Sequence, residues 1–148
     1  MEPVLLDRLL QITELFQRDM TRAFAGSGLT PARVHLLWVL THDGPSTQQS
    51  LAVACGVSPR NITGLVDGLE SSGHVRRTPH PTDRRAVLVE LTDSADELMR
   101  RMQREHVELN DTLVEAIAPD DRAAFDRGLG ALVERLAALV DAASEKKT

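Results

Sequence analysis

Between Thr47 and Ser71 the chain places two short helices in succession around a glycine turn, and this restricts the fold more than any other feature of the sequence. Thr47 caps a helix running to about Ala54, and Gly56 supplies the left-handed residue that turns the chain. Ser58-Pro59 opens a second helix that runs to about Ser71, with proline at the first position where its missing N–H costs nothing. Two short helices packed at a steep angle need a small residue at the contact (Ala52) and a glycine at the turn. They also need branched apolar residues between them, here Leu51, Val57, Ile62 and Leu65. That is the spacing of a helix-turn-helix, whose second helix enters the major groove of DNA. A helix pair in a plain bundle shares the spacing, so the exposed surface has to decide.

With Ile62, Leu65, Val66 and Leu69 turned inward, the second helix presents Arg60, Asn61, Thr63, Gly64 and Asp67. Arginine pairs bidentately with guanine, asparagine with adenine, and threonine offers a hydroxyl and a methyl. Gly64 permits close approach at a helix-propensity cost of about 1 kcal/mol relative to alanine. Ser58 caps a helix start whose N–H groups suit a phosphate. A merely solvated face would carry Glu and Lys, and this one has neither.

The period then changes from helical to alternating. Val75–Thr78 and Ala86–Leu91 read as two strands around an exposed loop at 79–85. Arg84 and Arg85, with His80 nearby and Arg76-Arg77 in the preceding strand, place positive charge at the tip and base of this hairpin, which is suited to an adjacent minor groove. Asp83 is expected to hold the Arg85 guanidinium. A solubilising turn carrying surface ion pairs is the plainer reading of the same loop.

Amphipathic helices flank this centre. Leu5, Leu9, Ile12, Phe16, Met20 and Ala23 form one stripe, ended by Gly26-Ser27-Gly28; Thr30-Pro31 opens the next helix. After Thr92 a long helix carries Ala95, Leu98, Met99, Met102, His106, Leu109, Leu113 and Ile117. Pro119-Asp120-Asp121 opens the last, with Leu129, Leu132, Val133, Leu136, Leu139 and Val140, and Glu145–Thr148 reads as a frayed tail. One small core cannot cover both terminal stripes, so a homodimer is expected. The class is mainly α with a small antiparallel β wing: a winged helix-turn-helix with N- and C-terminal dimerisation helices. One domain spans 1–148, with the winged lobe at about 30–92 and dimerisation helices at about 4–25 and 93–142.

The net charge of −5 lies wholly in residues 91–148, which hold eight basic residues against thirteen acids. Residues 58–85 are locally positive, with five arginines against three acids, so the sum does not exclude DNA binding. No run approaches the roughly 18 apolar residues of a membrane span, and a lone cysteine forms no internal disulfide, so a cytoplasmic protein is expected.

In order along the chain, Gly28-Leu29-Thr30-Pro31, Gly44-Pro45 with Thr47-Gln48, Val57–Thr63, Leu69-Glu70 with Gly73, and Pro81–Arg85 leading to Leu91-Thr92 resemble the MarR family. The similarity runs from roughly Leu5 to Val140, and Asp83-Arg84-Arg85 is its most specific piece. The resemblance implies a homodimer formed mainly by the first and last helices, binding a palindromic double-stranded DNA operator. It implies a ligand-responsive repressor, and places a pocket for a small aromatic or anionic ligand where Phe16, Arg33, His35 and Trp38 would line it. The expected DNA-binding set is Thr47, Gln48, Ser58, Arg60, Asn61, Thr63, Gly64, Arg77, His80, Asp83, Arg84 and Arg85. A regulator without an effector, or an activator, is the alternative.

No G-x-S-x-G, Walker or paired-metal motif occurs, so no enzyme, cofactor or metal site is expected. His106 with Glu105 and Glu108 comes nearest to a ligand cluster. Cys55 sits where the helix pair needs a small apolar residue, and no second cysteine is present to resolve an oxidised thiol.

Overall fold

The computed structural model describes residues 4–145. The order is α1 (Val4–Ala23), α2 (Pro31–Asp43), β1 (Ser46–Thr47), α3 (Gln48–Cys55), α4 (Pro59–Ser71), β2 (Val75–Pro79), β3 (Val87–Leu91), α5 (Asp93–Glu115), a 3-10 turn (Pro119–Asp121) and α6 (Arg122–Glu145). The chain divides after Arg101 into two units.

In the first unit, three helices begin on side-chain caps anticipated from sequence. Thr30 Oγ1 accepts from Arg33 N–H, Thr47 Oγ1 from Ser50 N–H and Ser58 Oγ from Asn61 N–H, at 3.3, 3.2 and 3.1 Å. Gly56 ends α3 at φ +65°, a conformation that a side chain would strain. Leu36 and Leu37 of α2, Leu51 of α3, and Ile62, Val66 and Leu69 of α4 are fully buried with Val75, Val89 and Met99. Leu65 and Val57 are only half-buried.

The sheet has three antiparallel strands in the order β1-β3-β2, one more than the expected hairpin. Ser46 and Thr47 pair with Val89 and Leu88, so Thr47 is both a strand end and the α3 cap. Val89, at the centre, is fully buried; Val87 lies on the same face nearer the hairpin tip and is exposed.

The lobe also reaches past its expected end near residue 92. Thr92 Oγ1 donates to Gly73 O (2.7 Å) and accepts from Ala95 N–H, tying the α4–β2 corner to the start of α5. Ala95 and Met99, four apart on one helix face, then join the core.

α1 has no buried residue, and Leu5, Ile12 and Phe16 of its stripe are exposed. In the second unit, the outer part of α5 and α6 likewise have no buried residue among those described, and Leu109, Leu113, Leu129, Val133, Leu136 and Leu139 are exposed. The acids of Pro119–Asp121 belong to the 3-10 turn, and the first turn of α6 has none, contrary to the expected single helix. Arg122 Nε donates to Ile117 O across that corner at 3.1 Å. Of the expected tail, Glu145 closes α6 and 146–148 lie outside the described residues. No described helix is long and apolar enough to cross a membrane.

Candidate nucleic-acid interface

Because α4 buries Ile62, Val66 and Leu69, its other side has to face outward, and Arg60, Asn61, Thr63, Gly64 and Asp67 are all exposed. A Cβ added at Gly64 would meet nothing within 4 Å, so no neighbour in the fold requires glycine there. Beside it, Gln49, Val53 and Pro59 line an open groove between α3 and α4. Val53 is 81% exposed although it is aliphatic; sequence periodicity gave it no role, because the short α3 has almost no amphipathic signal.

The polar groups at the α3–α4 contact are linked. Gln48 Nε2 donates to Thr63 Oγ1 (3.0 Å), which donates in turn to Pro59 O (3.0 Å). Gln48 Oε1 accepts from Arg77 NH2 at 2.9 Å. The same guanidinium donates to Asp67 Oδ1 (2.6 Å) and Glu70 Oε1 (2.8 Å), two acids on one side of α4. Its bonds to Asp67 and Glu70 raise the Arg77 pKa above its ordinary value despite partial burial. The two expected DNA contacts Gln48 and Arg77 therefore have partners inside the protein. The sequence signal was available in Asp67 and Glu70, which face β2 once α4 is oriented.

Arg76 points to the opposite sheet face, as neighbours on a strand must, and bonds its register partner Glu90 at 2.6 Å. Its pKa is raised through the Glu90 hydrogen bond. By contrast Arg60, Arg84 and Arg85 are exposed, and among the described residues none forms an ion pair.

Side chains also shape the hairpin tip. His80 Nδ1 accepts the N–H groups of Thr82 (3.2 Å) and Asp83 (3.1 Å), so the ring proton of the neutral imidazole sits on Nε2. Asp83 Oδ1 accepts from Arg85 backbone N–H at 2.9 Å rather than from its guanidinium, which corrects the expected ion pair. A two-residue separation favours this local turn, and both guanidinium groups stay free.

None of the four expected pocket liners lines the groove between α1 and α2 or the groove between α3 and α4. The groove between α1 and α2 is lined by Gln17, Met20, Thr21, Phe24, Leu29, Thr30 and Pro31. Phe16 is exposed on α1 and Trp38 half-buried on α2. Arg33 and His35, two positions apart, point to nearly opposite sides of α2. Arg33 donates to Gly28 O and lies against Gly68 of α4, where a Cβ would collide with its guanidinium. Burial, and then the Arg33 charge, push the His74 pKa down. Cys55 is half-buried and desolvation raises its thiol pKa, which disfavours the reactive thiolate. Among the described residues, no group of His, Cys, Asp or Glu is placed to hold a metal, the His106 neighbourhood included.

The MarR family model matches residues 29–87, which span α2 to the sheet. The chain is 30% identical over 143 residues to the uncharacterised helix-turn-helix regulator YfiV of Bacillus subtilis, covering 91% of this chain and 89% of the relative. It is also 30% identical to the transcriptional repressor YetL of the same species, over 90% and 81% of the two chains. Among solved structures, RV1404 of Mycobacterium tuberculosis superposes with a TM-score of 0.74 at 29% identity, covering 90% of this chain and 93% of the other.

Proposed function

This chain belongs to the MarR family of helix-turn-helix transcriptional regulators, which are not enzymes, and from that premise we propose that it represses transcription as a homodimer on a palindromic operator. One observation carries the reading. The polar side of α4 stands exposed beside a hairpin whose tip arginines, Arg84 and Arg85, form no ion pair among the described residues, so Arg60, Arg84 and Arg85 are available to DNA.

In this reading α4 lies in the major groove. Arg60 and Asn61 meet base edges, Gly64 admits the backbone closely, and Thr63, whose hydroxyl is committed to Pro59 and Gln48, offers its methyl to thymine. Ser58 and Thr47 present helix N-termini to phosphates. Arg84 and Arg85 enter the neighbouring minor groove, and His80 Nε2–H reaches its backbone. The exposed stripes of α1, outer α5 and α6 meet a second copy, which sets two half-sites roughly 10 bp apart. A small aromatic or anionic effector lowers DNA affinity, and the protein acts in the cytoplasm.

Footprinting the full-length protein on DNA flanking its own gene tests this, followed by titration of the protected duplex against a scrambled one at fixed salt. Two protected half-sites about one helical turn apart, bound in preference to the scramble, are expected; equal affinity for both duplexes would overturn the reading. Adding aromatic carboxylic acids to the titration separates a ligand-responsive repressor from one without an effector.

A further inference from the structure

Arg77 donates three side-chain hydrogen bonds beside the α4 surface. It is only 27% exposed, whereas its strand neighbour Arg76 is 54% exposed and Arg84 and Arg85 at the hairpin tip are open to solvent. Its fork serves acceptors on two helices at once: Gln48 on α3, and Asp67 and Glu70 on α4. Through the Gln48 amide the same chain of bonds continues to Thr63 and to Pro59 in the first turn of α4. Every link runs donor to acceptor in one direction, starting at a cation, which is the arrangement in which hydrogen bonds reinforce one another. The bonds touch α4 at Pro59, Thr63, Asp67 and Glu70, along almost its whole length. They also neutralise Asp67, an acid that would otherwise stand unpaired among the base-reading residues.

We infer that Arg77 and Gln48 are positioning residues: together they fix the rotation of α4 against α3 and the hairpin, and thereby where Arg60, Asn61 and Thr63 meet the bases. Direct DNA contact by arginine is left to the unpaired Arg60, Arg84 and Arg85. The inference rests on the reading of the α4 surface as the DNA face, and it assigns Arg77 a role different from that of Arg84 and Arg85. Lysine cannot substitute for it. A compact ammonium keeps the charge but lacks the planar fork that spans three acceptors on two helices. At a simple phosphate contact lysine would serve well.

The full-length protein first enriches a duplex from a random-sequence pool. Affinity for that duplex and for its scramble is then measured across a salt series for wild type, Arg77→Lys, Arg77→Met, Gln48→Ala and the Gln48→Ala/Arg77→Met double variant. Arg77→Lys should lower the preference for the enriched duplex about ten-fold while leaving scrambled-DNA binding unchanged. Arg77→Met should do the same with an unaltered salt slope, and the double variant should lose little more than Arg77→Met alone, because both act through one network. The inference fails if lysine retains full preference, or if Arg77→Met weakens all duplexes equally with a slope reduced by about 0.9, the signature of one lost phosphate contact. Should Arg77→Met not fold, Arg77→Lys and Gln48→Ala decide the matter. Amide hydrogen exchange along α4 without DNA gives an independent reading: faster exchange in Arg77→Lys supports the clamp, and unchanged exchange refutes it. If no duplex is enriched, the DNA reading falls while this last measurement still reports on Arg77.

Discussion

In the lobe, leucines at 36, 37, 51 and 69 are sealed from solvent, whereas in α6 leucines at 129, 136 and 139 stand in the open, and α1 has no buried residue at all. Both regions are helical and both carry regular apolar stripes, so the stripe alone does not tell whether a helix has a partner within its own chain. The lobe closes its core by crossing short elements and ending each on a cap. The long helices leave leucines and valines of their stripes exposed. The lobe therefore holds its shape on its own contacts, and the exposed stripes of the long helices are what the proposed dimer would cover.

The sharpest way to break this contrast is to charge the open stripe. Leu136→Asp combined with Leu139→Asp should dissociate the homodimer and, by uncoupling two half-site contacts, weaken operator binding by about 100-fold or more. Sedimentation and DNA titration read the two effects, and a dimer that persists would remove the distinction between the regions. Leu69→Ala acts on the other side: a fully buried leucine in α4 should cost about 2–5 kcal/mol of unfolding free energy. Chemical denaturation measures that loss, and cross-linking should still detect dimers where the folded state is retained. Arg60→Ala should leave fold and dimer intact and reduce specific binding by about 1–3 kcal/mol if Arg60 reads guanine. Gly64→Ala should divide stability from function, raising stability by about 1 kcal/mol because the added Cβ meets nothing, while operator affinity falls as the helix is held off the groove.

The smallest effect concerns pH. Burial and the Arg33 charge disfavour protonated His74 in the folded lobe, so the unfolded chain binds the proton more readily. Stability from this group is present above pH about 6.5 and declines as the pH falls through the lowered folded value. Thermal melts from pH 7 to 5 should show the decline, and His74→Gln should flatten it.

The helix-turn-helix was legible because local chemistry specifies it. Thr30, Thr47 and Ser58 cap, Pro31 and Pro59 begin helices, Gly56 turns, and each acts within a few residues of itself. What escaped the sequence depends on distance. β1 is two residues long, too short for any alternation, and exists only because Val89 and Leu88 lie beside it. Arg77 meets an acid ten residues back on α4 and a glutamine 29 residues back on α3, so its neighbours on the strand suggested a basic patch instead. Asp83 meets Arg85 through the main chain instead of the expected guanidinium, a choice that side-chain charge does not reveal. The α4 surface lay between these cases: its outward residues followed from the buried stripe, and which of them were already occupied did not.

The hairpin tip has one more consequence. With His80 accepting two main-chain amides and Asp83 a third, the segment bearing Arg84 and Arg85 has its turn shaped before anything binds. Immobilising a backbone costs roughly 1–2 kcal/mol per residue, and a loop that is already ordered largely escapes that penalty at the moment of contact. In the proposed DNA contact, arginines mounted on such a turn would lose mainly side-chain freedom, which would favour grooves whose width matches a fixed, rather than an adaptable, tip.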